Sequence, residues 1–233
     1  MEKLNTIQTI AVIVPPFVFS VILHEVVHGW IAEKLGDPTA RNAGRLTLNP
    51  IPHIDLVWTI IMPMLLYFTT GFVVGGAKPV PINPYNFKNP KRDMALSSLA
   101  GPSVNMLMAI LFAFVLRVII PIMESIIPTK IWEQTALPVT LMLGAGAVIN
   151  VILAIFNMIP IPPLDGSRIV YWLLPDKQAA LYYRLEPFGI FILIALLSFR
   201  ILGTIIWPII VFILYILLGQ DILVFLANYF LKG

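Results

Sequence analysis

The 233-residue chain contains no cysteine, and only 12% of its residues are charged. Without cysteine there is no disulfide framework, no thiolate nucleophile and no thiolate metal site. Water-soluble domains carry about 25% charged residues. The shortage here, with 59% apolar residues and a mean hydropathy of +0.92, argues against an ordinary soluble enzyme. Disorder, collagen-like repeats and coiled coils are excluded by the high apolar content and the absence of a short repeat. The net charge is only +3, and its basic residues form no clustered nucleic-acid footprint. Nucleic acid is therefore not an expected partner.

What is present is a succession of long apolar runs. A helix needs about 20 apolar residues to cross the hydrocarbon core. Residues 7–33, 56–74, 94–120, 138–160, 186–202 and 204–230 qualify as candidate segments. Polar stretches rich in Pro and Gly separate some of them at 34–55, 75–93 and 161–185. The expected fold is an all-α polytopic membrane protein with five or six hydrophobic segments. We expect a single integral membrane domain over 1–233. Segment 7–33 does not read as a cleavable signal peptide, because its N-terminal flank is weakly charged and no small-x-small site follows it. Segment 186–230 reads as two crossings or as one crossing with a surface helix.

Ten of the fifteen basic residues lie in the three polar stretches. Basic residues favour the cytosolic side. If 56–74 crosses, the first two stretches fall on opposite faces. If it dips in and returns, eleven basic residues lie inside and four outside. Pro63 offers a bend near its middle, and charge favours the re-entrant arrangement.

The rare polar residues inside apolar segments carry the chemistry. His24-Glu25-Val26-Val27-His28 is an H-E-x-x-H motif. On a helix, positions i and i+4 share a face, so both imidazoles can address one ion, for which zinc is suited. Glu25 then stands beside the metal, placed to take a proton from water. A buried Glu between two His is costly in a membrane without a function. A catalytic zinc also needs a third protein ligand and an open position. Asp165 is a candidate, following Pro160, Pro162 and Pro163, which must break a helix. Broken backbone at membrane depth lines protein or a water-filled cavity. Spacing alone leaves two roles for Asp165 open: a cavity-facing ligand, or the N-cap of a following helix.

H-E-x-x-H followed far downstream by Asn157-Met158-Ile159-Pro160-Ile161-Pro162-Pro163-Leu164-Asp165-Gly166 resembles the site-2 protease family of intramembrane zinc metalloproteases. Two further stretches, Gly44–Pro50 and Ala77–Asn83 continuing to Ala100–Asn105, resemble its compact branch without PDZ or CBS domains. The resemblance implies that His24, His28 and Asp165 bind zinc and that Glu25 is the catalytic base. It suggests that Asn157 helps to hold substrate, and it makes the loop with Gly76 and Lys78 a substrate contact. It also implies a prokaryotic cell membrane, an active site toward the cytosol, and a transmembrane protein as substrate. The chain departs from the branch at Gly76, where Trp is common, and at Asp55-Leu56, where Asp-Pro is common.

A transmembrane substrate must be extended before it is cut, and a strand edge can receive it. Residues 44–48 and 76–82 are short, partly β-prone and punctuated by Gly and Pro. We therefore expect a small membrane-dipping β element on the cytosolic side. His53 reads as an interfacial hydrogen-bonding residue, or else as a gate, relay or extra metal contact. Asn105 reads equally as interhelical glue or as a site residue. Two other functions stay in view: a non-catalytic adaptor that binds helices, and an ion or solute transporter.

Overall fold

A computed structural model of the chain describes residues 4–55, 59, 61, 64, 77–128 and 136–230. Most of 56–74, with the expected re-entrant bend, lies outside the described residues, as does Gly76. Among the described residues the fold is helical, with no β-strand. Five helical spans are long and apolar enough to cross a membrane: Thr6–Lys34, Pro90–Met123, Leu137–Asn157, Asp176–Ser198 and Ile201–Phe230. A multi-pass membrane protein follows.

Helix α1 (Thr6–Lys34) has 29 residues, or about 44 Å at 1.5 Å per residue, more than the ~30 Å hydrocarbon core. Its end is set by Gly36, which takes φ 112°. Gly36 N–H donates to the Glu33 carbonyl at 3.0 Å, and Asp37 N–H to the Ala32 carbonyl at 2.9 Å. This is a Schellman closure, which needs glycine at the left-handed position. Helix α2 (Pro90–Phe114) starts at a proline whose missing N–H costs nothing there. Asp93 closes its first turn by accepting from Asn89 N–H at 3.0 Å. The helix continues through a π turn at Val115–Ile119 into Ile120–Ile126. Pro121 cannot donate back along the helix, which accounts for the wider turn.

Helix α3 (Leu137–Asn157) ends before the proline-rich loop. Helices α4 (Asp165–Leu173), α5 (Asp176–Tyr183), α6 (Gly189–Ser198) and α7 (Ile201–Phe230) follow. Segment 186–230 thus holds the end of one stretch and the whole of another that are long and apolar enough to cross a membrane. Gly219, at φ 76°, interrupts α7. Arg117 Nη1 donates to the carbonyls of Ile216 and Leu217, at 3.1 and 3.2 Å, beside that break. The side chain thereby satisfies carbonyls that an interrupted helix leaves without partners.

The chain divides into two compact units. The first comprises Met1–Ser20, Asn105–Leu153 and Pro208–Gly233. Its polar centre is Ser20, Asn105 and Asn150, all buried. Asn105 Nδ2 donates to Asn150 Oδ1 at 2.8 Å, and Asn150 Nδ2 donates to Ser20 Oγ at 2.7 Å and to the Gly146 carbonyl at 2.8 Å. Ser20 Oγ in turn donates to the Pro16 carbonyl at 2.6 Å. Asn105 therefore acts as interhelical glue.

The second unit comprises Val21–Val104 and Ala154–Trp207. Ile159, Leu164, Leu193 and Leu202 form its buried cluster, with Phe156 and Ile190 packed against it. This cluster fixes the loop before Asp165. Gly166 permits the tight return, since a Cβ there would lie 2.2 Å from the Met158 carbonyl oxygen. Gly189 does the same against the Pro162 carbonyl oxygen at 2.0 Å.

The expected β element is not formed among the described residues. Residues 46–48 are bends, and 77–83 has no ladder partner. The N–H groups left by Pro79 and Pro81 are engaged elsewhere. Lys78 N–H donates to the His53 carbonyl at 2.7 Å, and Val80 N–H to Glu25 Oε2 at 2.9 Å. Asn83 N–H donates to Asp37 Oδ2 at 2.7 Å. Side chains and a turn carbonyl have replaced the strand that a sheet would require.

Candidate metal centre

His24 and His28 sit one turn apart near the C-terminal end of α1, and both are buried. Their Nε2 atoms lie 2.9 Å apart. Asp165, at the start of α4, brings Oδ2 to 3.2 Å from His24 Nε2 and 3.3 Å from His28 Nε2. Leu164, not Asp165, is the N-cap of α4, and Asp165 is the first residue of the helix. Buried Oδ2 has no hydrogen-bond partner despite the ion-pair distances. Among the described residues, His24, His28 and Asp165 are the group of His and acidic side chains able to hold a metal ion.

The donor set fits zinc. Two imidazoles and one carboxylate match catalytic zinc sites, and Zn–N distances of about 2.0–2.1 Å put tetrahedral ligand atoms about 3.3 Å apart. The observed separations are close to this. His28 Nδ1 lies 2.7 Å from the Ser97 carbonyl, to which it donates, so the Nε2 lone pair faces the centre. Ser97 Oγ donates back to the His28 carbonyl at 2.9 Å. The same two residues thus fix both the helix contact and the tautomer.

Two features were not read from the sequence. Gly101 lies directly against the ligands: a Cβ there would be 2.3 Å from His28 Nε2 and 2.6 Å from His24 Cε1. Its sequence signal is a glycine inside a helix, which is unfavourable by about 1 kcal/mol and so needs a reason. The other is the Val80 amide on Glu25. Pro79 and Pro81 isolate that donor, but its target cannot be read from spacing.

The remaining site candidates lie around this centre. Half-buried Asn157 ends α3, outside the ligand group. Lys78 exposes its side chain, and its carbonyl accepts from Arg45 Nη2 at 2.5 Å. His53 is buried, and its Nε2 lies 2.9 Å from the Thr47 carbonyl; it is not one of the metal-facing residues.

Comparison with known proteins agrees with this chemistry. The model of peptidase family M50 matches residues 118–199, which include Asn157, Pro160, Leu164, Asp165 and Gly166. The chain is 33% identical over 191 residues to "Putative zinc metalloprotease YwhC" of Bacillus subtilis, covering 82% of each chain. The chain belongs to peptidase family M50. It is a metalloprotease. "Putative zinc metalloprotease Rip2" of Mycobacterium tuberculosis is 28% identical over 199 residues, covering 79% of this chain and 71% of its own. Its Mycolicibacterium smegmatis counterpart is 26% identical over 183 residues, covering 78% and 64%. No solved structure matches the chain.

Proposed function

We propose that this M50 protease is an intramembrane zinc endopeptidase that hydrolyses a peptide bond in or near a transmembrane segment of another protein. The observation that supports it most is the convergence of His24, His28 and Asp165, with Oδ2 of Asp165 buried and lacking a hydrogen bond. The zinc-metalloprotease names of the relatives point the same way. His24, His28 and Asp165 would hold the ion. When bound, zinc supplies a Lewis acid that polarises the scissile carbonyl and makes water more acidic. Glu25, next to His24 in the chain, takes the proton of the attacking water and returns it to the leaving amine. Asn157, Lys78 and the loop at Gly76 contact the extended substrate. The active site opens toward the cytosol of a prokaryotic cell, and residues 1–233 act as one protease domain.

The test uses purified chain in liposomes with a dye-quenched single-span peptide, weakened by Gly-Pro at its centre. Glu25→Gln should keep about one zinc per chain and lose cleavage by at least 100-fold, within the range for general acid–base groups. Cleavage by Glu25→Gln at the wild-type rate would remove Glu25 as the base.

A further inference from the structure

We propose that the backbone N–H of Val80 positions the Glu25 carboxylate, so that residues 77–83 act as a strut for the base; this rests on the endopeptidase reading. Val80 N–H donates to Glu25 Oε2 at 2.9 Å, across 55 positions of sequence. A charge-assisted bond of this kind is stronger and more directional than a neutral one. It holds one carboxylate oxygen and leaves the other to meet water.

The sequence around Val80 suits that task. Pro79 and Pro81 have no N–H, so within 79–81 only Val80 can donate. A following proline also keeps Val80 out of helical backbone. The strut is pinned at both ends. On one side Lys78 bonds to the His53 carbonyl through its N–H and to buried Arg45 through its carbonyl. On the other, Asn83 N–H is held by Asp37.

Gly29 supplies the berth. It lies four residues after Glu25, on the same face of α1. A Cβ at Gly29 would come within 2.8 Å of Val80 Cγ1, Ala40 Cβ and Leu46 Cδ2. The missing side chain lets buried Val80 lie against the helix, which brings its amide to Glu25. Ordinary side chains at 29 would hold the strut away. Glu25 is therefore oriented from outside its own helix, by a group that contacts neither His nor Asp165 in the hydrogen bonds described.

The experiment compares Val80→Pro, which removes the N–H, with Val80→Ala, which keeps it, on the dye-quenched peptide in liposomes. Val80→Pro should bind about one zinc, keep KM within about twofold, and lower kcat about 10- to 100-fold below Val80→Ala. Misplacement by about 1 Å can have a 100-fold effect. If Val80→Pro misfolds or loses zinc, the same thresholds apply to a backbone ester at position 80, which keeps the valine side chain. A kcat equal to that of the N–H-bearing chain, or a change in KM alone, would overturn the proposal. Wild type no faster than Glu25→Gln would instead overturn the endopeptidase reading, and this inference with it.

Discussion

In the first unit, Ser20, Asn105 and Asn150 bring donors and acceptors together in matched pairs, closed by the Pro16 and Gly146 carbonyls. In the second unit, His24, His28 and Asp165 bring three ligand atoms to one point, and Asp165 Oδ2 is buried without a hydrogen bond. Both clusters lie among apolar helices, where an unsatisfied polar group is expensive. The satisfied cluster holds helices together. The other gathers the set of donor atoms that a cation would take. Two carboxylates, buried Asp37 and half-buried Asp165, sharpen the contrast. Asp37 accepts from Thr39 N–H, Thr39 Oγ1, Asn83 N–H and Asn86 Nδ2. Asp165 has no such set of donors.

The largest effect is expected where the contrast is attacked at its tightest point. Gly101→Ala would thrust a methyl into the ligand atoms, and zinc affinity measured by competitive chelation should fall at least 100-fold. Zinc affinity within threefold of wild type would show that the ligands have room to move.

Asp37→Asn should lower stability by about 2 kcal/mol, the scale for disrupting a buried charged hydrogen-bonded group. Burial alone would raise the Asp37 pKa, but hydrogen bonds from Thr39, Asn86 and Asn83 hold it below the ordinary 3.8. A depressed carboxylate contributes stability that is present above its unfolded value and lost as pH falls through the folded one. Thermal unfolding in detergent should therefore show acid destabilisation below about pH 4, weaker in Asp37→Asn. Identical acid profiles would contradict the assignment.

The smallest effect belongs to the glue. Asn150→Leu should lower stability by about 1–2 kcal/mol, near the upper end for interhelical hydrogen bonds in membranes. Bound zinc should stay at the wild-type level. Loss of zinc on this change would erase the distinction between the two clusters.

Much of this was legible before the structure. H-E-x-x-H is local, and helix geometry alone puts both His on one face. Apolar length alone marks the spans, although the last two are divided at 198–201 rather than at 203. Asp165 was ambiguous because a loop residue before a helix can cap it or face away, and tertiary packing decides. The β element does not form among the described residues because the donors on either side of Pro79, Lys78 and Val80, meet a turn carbonyl and Glu25 instead of a strand. Gly101 and Val80 escaped notice for one reason. A close approach and a backbone donor act through space, and neither leaves a pattern at fixed spacing.

The central claim is that a distant aspartate completes a zinc site begun by two histidines. Bound zinc should be measured by elemental analysis in purified wild type and Asp165→Ala after mild chelation. The account predicts about one zinc per wild-type chain, lost or much weakened in the variant. Zinc retained undiminished in Asp165→Ala would contradict it.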